Sequence, residues 1–378
     1  MRLMKLIKKI TAVLLALMIL LTGCQLVSDT TWAFEHEGER LPAGAYIMFM
    51  NQALIDAIDT LHHQWMEWEP AYDGDDSLPT HPEEAAGREL LNLEINGMRL
   101  YDWMITEAQT LSRRYFAVQH KLDELGITVD PDELEQIALS SSLAYQSQAD
   151  DFRAIGVAES SLILANQSTV AFNALFFGMY DQGGAYEVPE QEIRDYLSEN
   201  FIRGHLLTIW KPWTPSRDTF DTDQEYEEAR RATDAQIAEQ RQLAQSTMER
   251  LMAGEDVVQL QYDLDMATRG AATRLDPDSF DLLVRPDAEH FFSTAIDGLA
   301  GLPVGQAGVF EDQTMISIVR RLDIFDGEEA LESVRDEILS SLRFDDHFIP
   351  MLEELANTLP IRMNNAAIRR YSPSILIM

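Results

Sequence analysis

A single cysteine, Cys24, stands in a chain of 378 residues, so no disulfide can close within the chain and packing alone must stabilise its fold. Basic residues are scarce: 29 Lys and Arg face 64 Asp and Glu, a formal net charge of −35. That balance excludes nucleic acid as a partner, because phosphate binding needs clustered cations. The sequence has no Gly-x-Ser-x-Gly elbow, no phosphate loop and no dinucleotide fingerprint, which removes the commonest hydrolase and nucleotide-dependent classes. No cofactor is implied. There is also no internal repeat. What remains is the composition of a globular protein, long enough for two or three domains at about 150 residues each.

The lone cysteine is placed where it carries meaning. Arg2, Lys5, Lys8 and Lys9 precede an apolar run from Ile10 to Leu21, which is shorter than the roughly 20 residues a bilayer core requires. The run ends in Leu21-Thr22-Gly23-Cys24, which resembles the lipobox of bacterial lipoproteins. That resemblance implies cleavage before Cys24 and attachment of lipid to its sulfur. Residues 1–23 then form a signal peptide, and the chain from Cys24 is lipid-anchored on the extracytoplasmic face of the cell membrane. Its two acyl chains would anchor stably where one is marginal, at about 0.8 kcal/mol per buried methylene. Removing the leader leaves 25 basic against 64 acidic residues, so the protein surface is repelled by anionic lipid and the covalent anchor must do the holding.

Residues 24–43 are expected to be a tether. Helical spacing of Ile47, Met50, Leu54, Ile58, Leu61 and Trp65 follows, then an acidic loop from Glu67 to Pro82. Thr80 with Glu83 forms a capping-box pattern that predicts a long helix running to Leu125 and stopped by Gly126. Asp130-Pro131 opens another helix, with an N-cap acid and proline at the first position. A further helix is expected from Ser160 to Tyr180, and Pro189 opens a short one through Asn200. The texture changes at His205 to Trp210, a short apolar run of the kind that forms a buried strand. After it come a charged helix to Gly254, a strand at Met315 to Ile324, and helical periodicity from Ala330 to Leu359; residues 361–378 show no clear pattern. The fold class expected is α+β and mostly helical. Residues 44–200 and 327–378 would make one helical body, interrupted by a small α+β unit at 201–326.

The order and the motifs resemble the PrsA-type foldase lipoproteins and the SurA-like chaperones, in which parvulin domains interrupt a helical chaperone domain. Val188 to Tyr196 is similar to the family's entry helix, and Arg203-Gly204-His205-Leu206-Leu207 to its first strand. Ala253-Gly254-Glu255-Asp256 matches a family turn, and Tyr262-Asp263-Leu264-Asp265 resembles the stretch whose last residue holds the parvulin cysteine/aspartate position. Phe291, Ala295 and Ile296 resemble the substrate-pocket motif, and Val304-Gly305-Gln306 the turn before the last strand. The departures are concentrated at the site. Ser317 stands where a second histidine is usual, Gly270-Ala271-Ala272-Thr273 replaces a glycine-rich loop, and Ile296 replaces a phenylalanine.

Prolyl isomerisation needs neither nucleophile nor metal, since the barrier of about 18–20 kcal/mol is rotation about a partly double C–N bond. A site that desolvates the amide and orients polar groups toward the twisted state lowers it. The resemblance implies His205, Asp265 and Ser317 as the polar floor, with Phe291, Phe292 and Ile296 seating the proline ring. Each has a plainer alternative: a hydrogen-bonded core histidine, a solvated or capping acid, ordinary aromatic packing. His62 and His63 with Glu67 have some metal-ligand character, but adjacent helical side chains diverge by about 100°. Asp73 to Glu84 imitates a calcium loop with Leu78 where glycine is required; no metal is expected. The functional expectation is a membrane-anchored chaperone that binds unfolded exported polypeptides, with weak or lost isomerase activity. The alternative is an active parvulin-type isomerase, and a remote one is a solute-binding lipoprotein of a transporter.

Overall fold

The computed structural model describes residues 30–68, 85, 87–272, 280–288, 290–326 and 328–377. Cys24, the acidic loop from residue 69 onward with Thr80 and Glu83, and the calcium-loop imitation lie outside the described residues, while Glu67, expected to open that loop, lies in the last turn of the first helix. The described residues fall into two compact units, one running up to Glu187 and resuming at Arg343, the other from Val188 to Leu342. Helices dominate, with small sheets that are antiparallel throughout the described residues.

Part of the expected tether is folded. Strands β1 (Trp32–His36) and β2 (Glu39–Pro42) form a hairpin. Its two-residue turn has Glu37 at φ 50° and Gly38 at φ 94°, the left-handed backbone a tight hairpin demands. Helix α1 (Ala43–Trp68) follows directly. The helix expected to start near residue 81 starts at Leu100. Ahead of it, strands β3 (Glu94–Ile95) and β4 (Met98–Arg99) pair across Asn96 (φ 52°) and Gly97 (φ 77°). Asn-Gly is the strongest short hairpin signal, and here it outweighs helical periodicity. Helix α2 (Leu100–Leu125) ends where expected, with Gly126 in the left-handed region. Helix α3 (Pro131–Ser147) is capped by Asp130, whose carboxylate accepts the Asp132 N–H. Helices α4 (Ala149–Ala154) and α5 (Glu159–Tyr180) complete this stretch. By length and composition α5 could cross a membrane, but Leu162 and Ala165 belong to the core that α1 and α2 also build.

The second unit opens with helix α6 (Glu190–Asn200) and strand β5 (Ile202–Trp210). Helices α7 (Asp223–Met252) and α8 (Val257–Arg269) come next; Thr222 and Glu225 form a reciprocal capping box on α7. Then come β6 (Asp281–Val284), helix α9 (Ser293–Gly301), β7 (Ala307–Glu311), β8 (Met315–Arg321) and helix α10 (Glu328–Arg343). The four strands lie in the order β6-β5-β8-β7. Helices α7 and α8 cover one face through Leu207, Ile209, Ile316 and Ile318. Helix α9 covers the other through Leu206, Val319, Ile296 and Leu299. Both α6 and most of α10, expected outside the insert, lie within this unit.

The chain returns to the first unit through a short π-helix (Phe344–Phe348), helix α11 (Ile349–Thr358), strand β9 (Arg362–Met363) and helix α12 (Asn365–Arg370). Residues 361–378, patternless as sequence, add a third strand to the hairpin: Phe34 pairs with Met363, and Glu35 with Arg362. Glu35 also bridges Arg40 at 2.7 Å and Arg362 at 3.0 Å. The hairpin near the start of the described residues and a strand near their end are therefore clasped together.

Candidate functional site on the insert sheet

Strand β5 is buried on both faces, and its register decides what each residue can do. Side chains alternate along a strand, and directly paired residues share a face. His205 pairs with Arg320 and Asp281, on the face covered by α7 and α8. Ser317 pairs with Thr208 and with Phe310, on the face covered by α9. The two positions implied as partners in a polar floor thus stand on opposite sides of one sheet. No rotamer can bring them together.

On its own face His205 sits among charges. Arg203 and Asp281 form a two-point ion pair, with Nε–Oδ1 at 3.0 Å and Nη2–Oδ2 at 2.5 Å. Burial is the main cause that lowers the His205 pKa; Asp281 opposes it, and Arg320 and Arg203 reinforce it. The imidazole is therefore biased toward the neutral form. Its buried Nδ1 has no hydrogen-bond partner among the described residues.

Asp265 is buried on α8, and Gln261 Nε2 donates to its Oδ1 at 3.1 Å. Gln261 is the residue that sequence reasoning missed. Its Oε1 accepts the Thr208 N–H at 3.0 Å, and its Nε2 donates to the Thr208 carbonyl at 3.0 Å. Strand β6 pairs β5 only from Ile202 to His205, so beyond that point the edge of β5 would be bare. Gln261 replaces the missing strand there, and Gln240 Nε2 does the same for the Trp210 carbonyl at 3.1 Å. Asp265 thus orients a structural glutamine, and no direct bond ties it to His205.

The α9 face holds the aromatic residues. Glycine permits the close seating of this helix: a Cβ on Gly204 would lie 2.6 Å from a Leu299 methyl, and one on Gly298 would lie 2.5 Å from the Phe310 ring. Ile296, on α9, and Phe292, at its N-terminus, pack against the sheet, whereas Phe291 is 71% exposed and Trp210 41%. The Phe291 ring lies 5.1 Å from Phe292 and 6.0 Å from Trp210, centroid to centroid. Trp213, three residues on, is 92% exposed. Trp210 and Trp213 carry little sequence signal, because a tryptophan closing an apolar strand reads as core. Thr208 and Ser317 lie on this same face.

Among the described residues no group of three or more His, Cys, Asp or Glu could hold a metal ion. His63 lies on the solvated side of α1, its Nδ1 at 2.9 Å from the Asp59 carbonyl.

No protein-family model matches the chain, and no curated protein matches it. Solved structures do. A foldase protein PrsA from Lactococcus lactis aligns over 90% of this chain and 99% of its own, at 10% identity and TM-score 0.37. The foldase protein PrsA of Streptococcus pneumoniae aligns over 75% of this chain and 98% of its own, at 9% identity and TM-score 0.35. A peptidylprolyl isomerase, PrsA, from Bacillus anthracis aligns over 68% of this chain and 100% of its own, at 13% identity and TM-score 0.26. The chain thus resembles PrsA structures from several bacteria, at low identity and with loose superposition.

Proposed function

We propose that this protein is a membrane-anchored, extracytoplasmic chaperone of the foldase type, which binds unfolded exported polypeptides and does not depend on prolyl isomerisation to do so. The observation that carries the reading is the division of labour across the insert sheet. Its α9 face offers a contiguous aromatic surface, Trp210, Phe291 and Phe292, of which Trp210 and Phe291 are exposed. Exposed aromatic clusters of this kind bind apolar segments. The polar groups that an isomerase floor would need are dispersed: His205 faces the other way, and Asp265 is tied to Gln261. Client binding is therefore favoured over catalysis. The anchor is the lipid on Cys24, supported by the Leu-Thr-Gly-Cys pattern after a basic, apolar leader.

The test pairs two assays on the full chain. A protease-coupled isomerisation assay on a prolyl tetrapeptide should give a rate near the uncatalysed one, while aggregation of a reduced, unfolded client is suppressed. A high isomerase rate abolished by His205→Ala would make the protein an enzyme first. Failure to protect any unfolded client would remove the chaperone reading.

A further inference from the structure

The net charge of −35 is not spread evenly along the sequence. Residues 24–42 and 361–378 together hold four arginines, Arg40, Arg362, Arg369 and Arg370, against four acids, Asp29, Glu35, Glu37 and Glu39. The whole acidic excess of the chain from Cys24 onward therefore lies elsewhere. These two balanced segments are the ones that the fold brings together, through the pairing of β9 with β1.

Within the clasp the charges are sorted by face. Glu35 pairs with Arg40 and with Arg362, so these three share the face turned away from the core side chains of Phe34, Leu41 and Met363. Glu39 pairs with His36 on the opposite face,. Arg40 and Arg362 are exposed and flank the Trp32 ring, their guanidinium carbons 5.8 and 5.6 Å from its centre. Both bridge Glu35, so its single charge is offset twice, and the forked guanidinium groups keep further N–H donors. Asn364 carries the basic face on into α12. Its side-chain amide donates to the Trp32 carbonyl at 2.9 Å, and its Oδ1 accepts the Ala366 and Ala367 N–H groups that open the helix. Arg369 and Arg370 are exposed at the far end of that helix, about 9 Å along its axis at 1.5 Å per residue. Among the described residues neither meets a carboxylate.

Cys24 stands six residues ahead of Thr30, where the described residues begin. A chain spans at most about 3.3–3.6 Å per residue, so a lipid on that sulfur keeps Trp32 within about 30 Å of the bilayer. The leash enters the protein at this same clasp. Charges farther than a Debye length of about 8 Å from the lipid are screened, so the face at the leash decides how the protein meets the membrane. Tryptophan favours the headgroup level of a bilayer, and guanidinium groups grip phosphate oxygens. We infer that the exposed arginines of β2, β9 and α12, set around Trp32 where the leash enters, dock the first unit on anionic lipid headgroups of the membrane that holds it. The inference rests on the lipid anchor of the proposed function. The anchor holds the protein, and this face sets which side of the unit meets the lipid; the acidic remainder is repelled by the same headgroups and sharpens that choice.

With lipid on the Cys24 sulfur, one introduced cysteine is the only free thiol of the chain. The full, lipidated chain carrying Ala366→Cys, an exposed position on α12, takes a nitroxide label and is placed in vesicles of phosphatidylcholine alone or mixed with phosphatidylglycerol. Accessibility of the label to a water-soluble nickel chelate should fall severalfold in the anionic vesicles only, and recover in high salt. An arginine at an anionic surface favours contact about fivefold. Arg369→Gln with Arg370→Gln, which spares the Glu35 clasp, should therefore weaken docking by more than about tenfold and leave the label as open as in neutral vesicles. A label on Gln136→Cys, exposed beside Asp132, Glu133 and Glu135 on α3, should stay open throughout. Equal accessibility in the two kinds of vesicle, or shielding unchanged in the double variant, would overturn the inference, and flotation of that same chain with the vesicles would leave the anchor standing. A chain that does not float with vesicles loses the anchor, and the docking face with it.

Discussion

Replacing Gln261 with methionine separates hydrogen bonding from packing at the edge of β5. Methionine conserves length and volume, so the apolar contacts on α8 survive while the N–H and C=O of Thr208 both lose their partner, now held at 3.0 Å each. A buried backbone group left unmet costs about 1–3 kcal/mol. Thr208 is only half-buried, and water can reach part of that edge, which places the sum near 2–3 kcal/mol. For a domain of this size each kcal/mol lowers Tm by about 2–4 °C, so the insert should melt about 4–12 °C lower in Gln261→Met. Hydrogen exchange on the full chain locates the effect: the Thr208 amide should lose protection first. Gln259→Met is the control, because Gln259 bonds Asp263 at the surface and should change stability by less than about 0.5 kcal/mol. An unchanged Tm and an unchanged Thr208 exchange rate in Gln261→Met would refute the view that a side chain stands in for the missing strand.

Three further predictions follow from other sites. Glu311 accepts two bonds from Arg241, at 2.7 and 2.8 Å, and bridges Lys211 at 2.6 Å, which together hold its pKa at about 2. A depressed carboxyl contributes stability above its unfolded pKa, 4.5, that is lost as pH falls through about 2,; after solvent screening this is on the order of 1 kcal/mol. Urea midpoints measured across that window should fall less steeply for Glu311→Gln than for wild type, and parallel curves would contradict the assignment. Gly204→Ala places a methyl 2.6 Å from Leu299 and 2.7 Å from the Arg320 carbonyl, so overpacking should cost about 1–3 kcal/mol in chemical denaturation; a neutral result would mean that α9 is not seated as described. Cys24→Ala should leave the fold intact and the protein unprocessed or released on membrane fractionation, and normal processing with membrane retention would count against the anchor.

Much of the fold was legible because local signals agreed with it. The Asp130-Pro131 start and the Gly126 stop lie where the caps demand. The hairpin signal at Asn96-Gly97 is also present in the sequence, where the helical spacing of Leu90, Leu93 and Met98 masks it, and in the structure the hairpin prevails. The third strand of the first sheet was not, since Arg362 and Met363 become a strand only by pairing with Phe34 and Glu35, which lie far away along the chain. The site failed for a related reason. A strand covered on both faces loses its alternation, so neither His205-Leu206-Leu207 nor Ile316-Ser317-Ile318 reveals which way the polar residue points. Only the pairing of His205 with Arg320 and of Ser317 with Thr208 settles it. Gln261 was invisible because a buried glutamine on a charged helix has the pattern of a surface one.

The aromatic surface on the α9 face is where the central claim is most exposed to test. Phe291 and Trp210 are exposed, so the double variant Phe291→Ala, Trp210→Ala should fold with little change in stability. The direct measurement is its suppression of aggregation of an unfolded client, beside wild type and His205→Ala at equal concentration. The account predicts clear loss of protection in the double variant and wild-type protection in His205→Ala. Full protection by the double variant, with loss in His205→Ala, would contradict it.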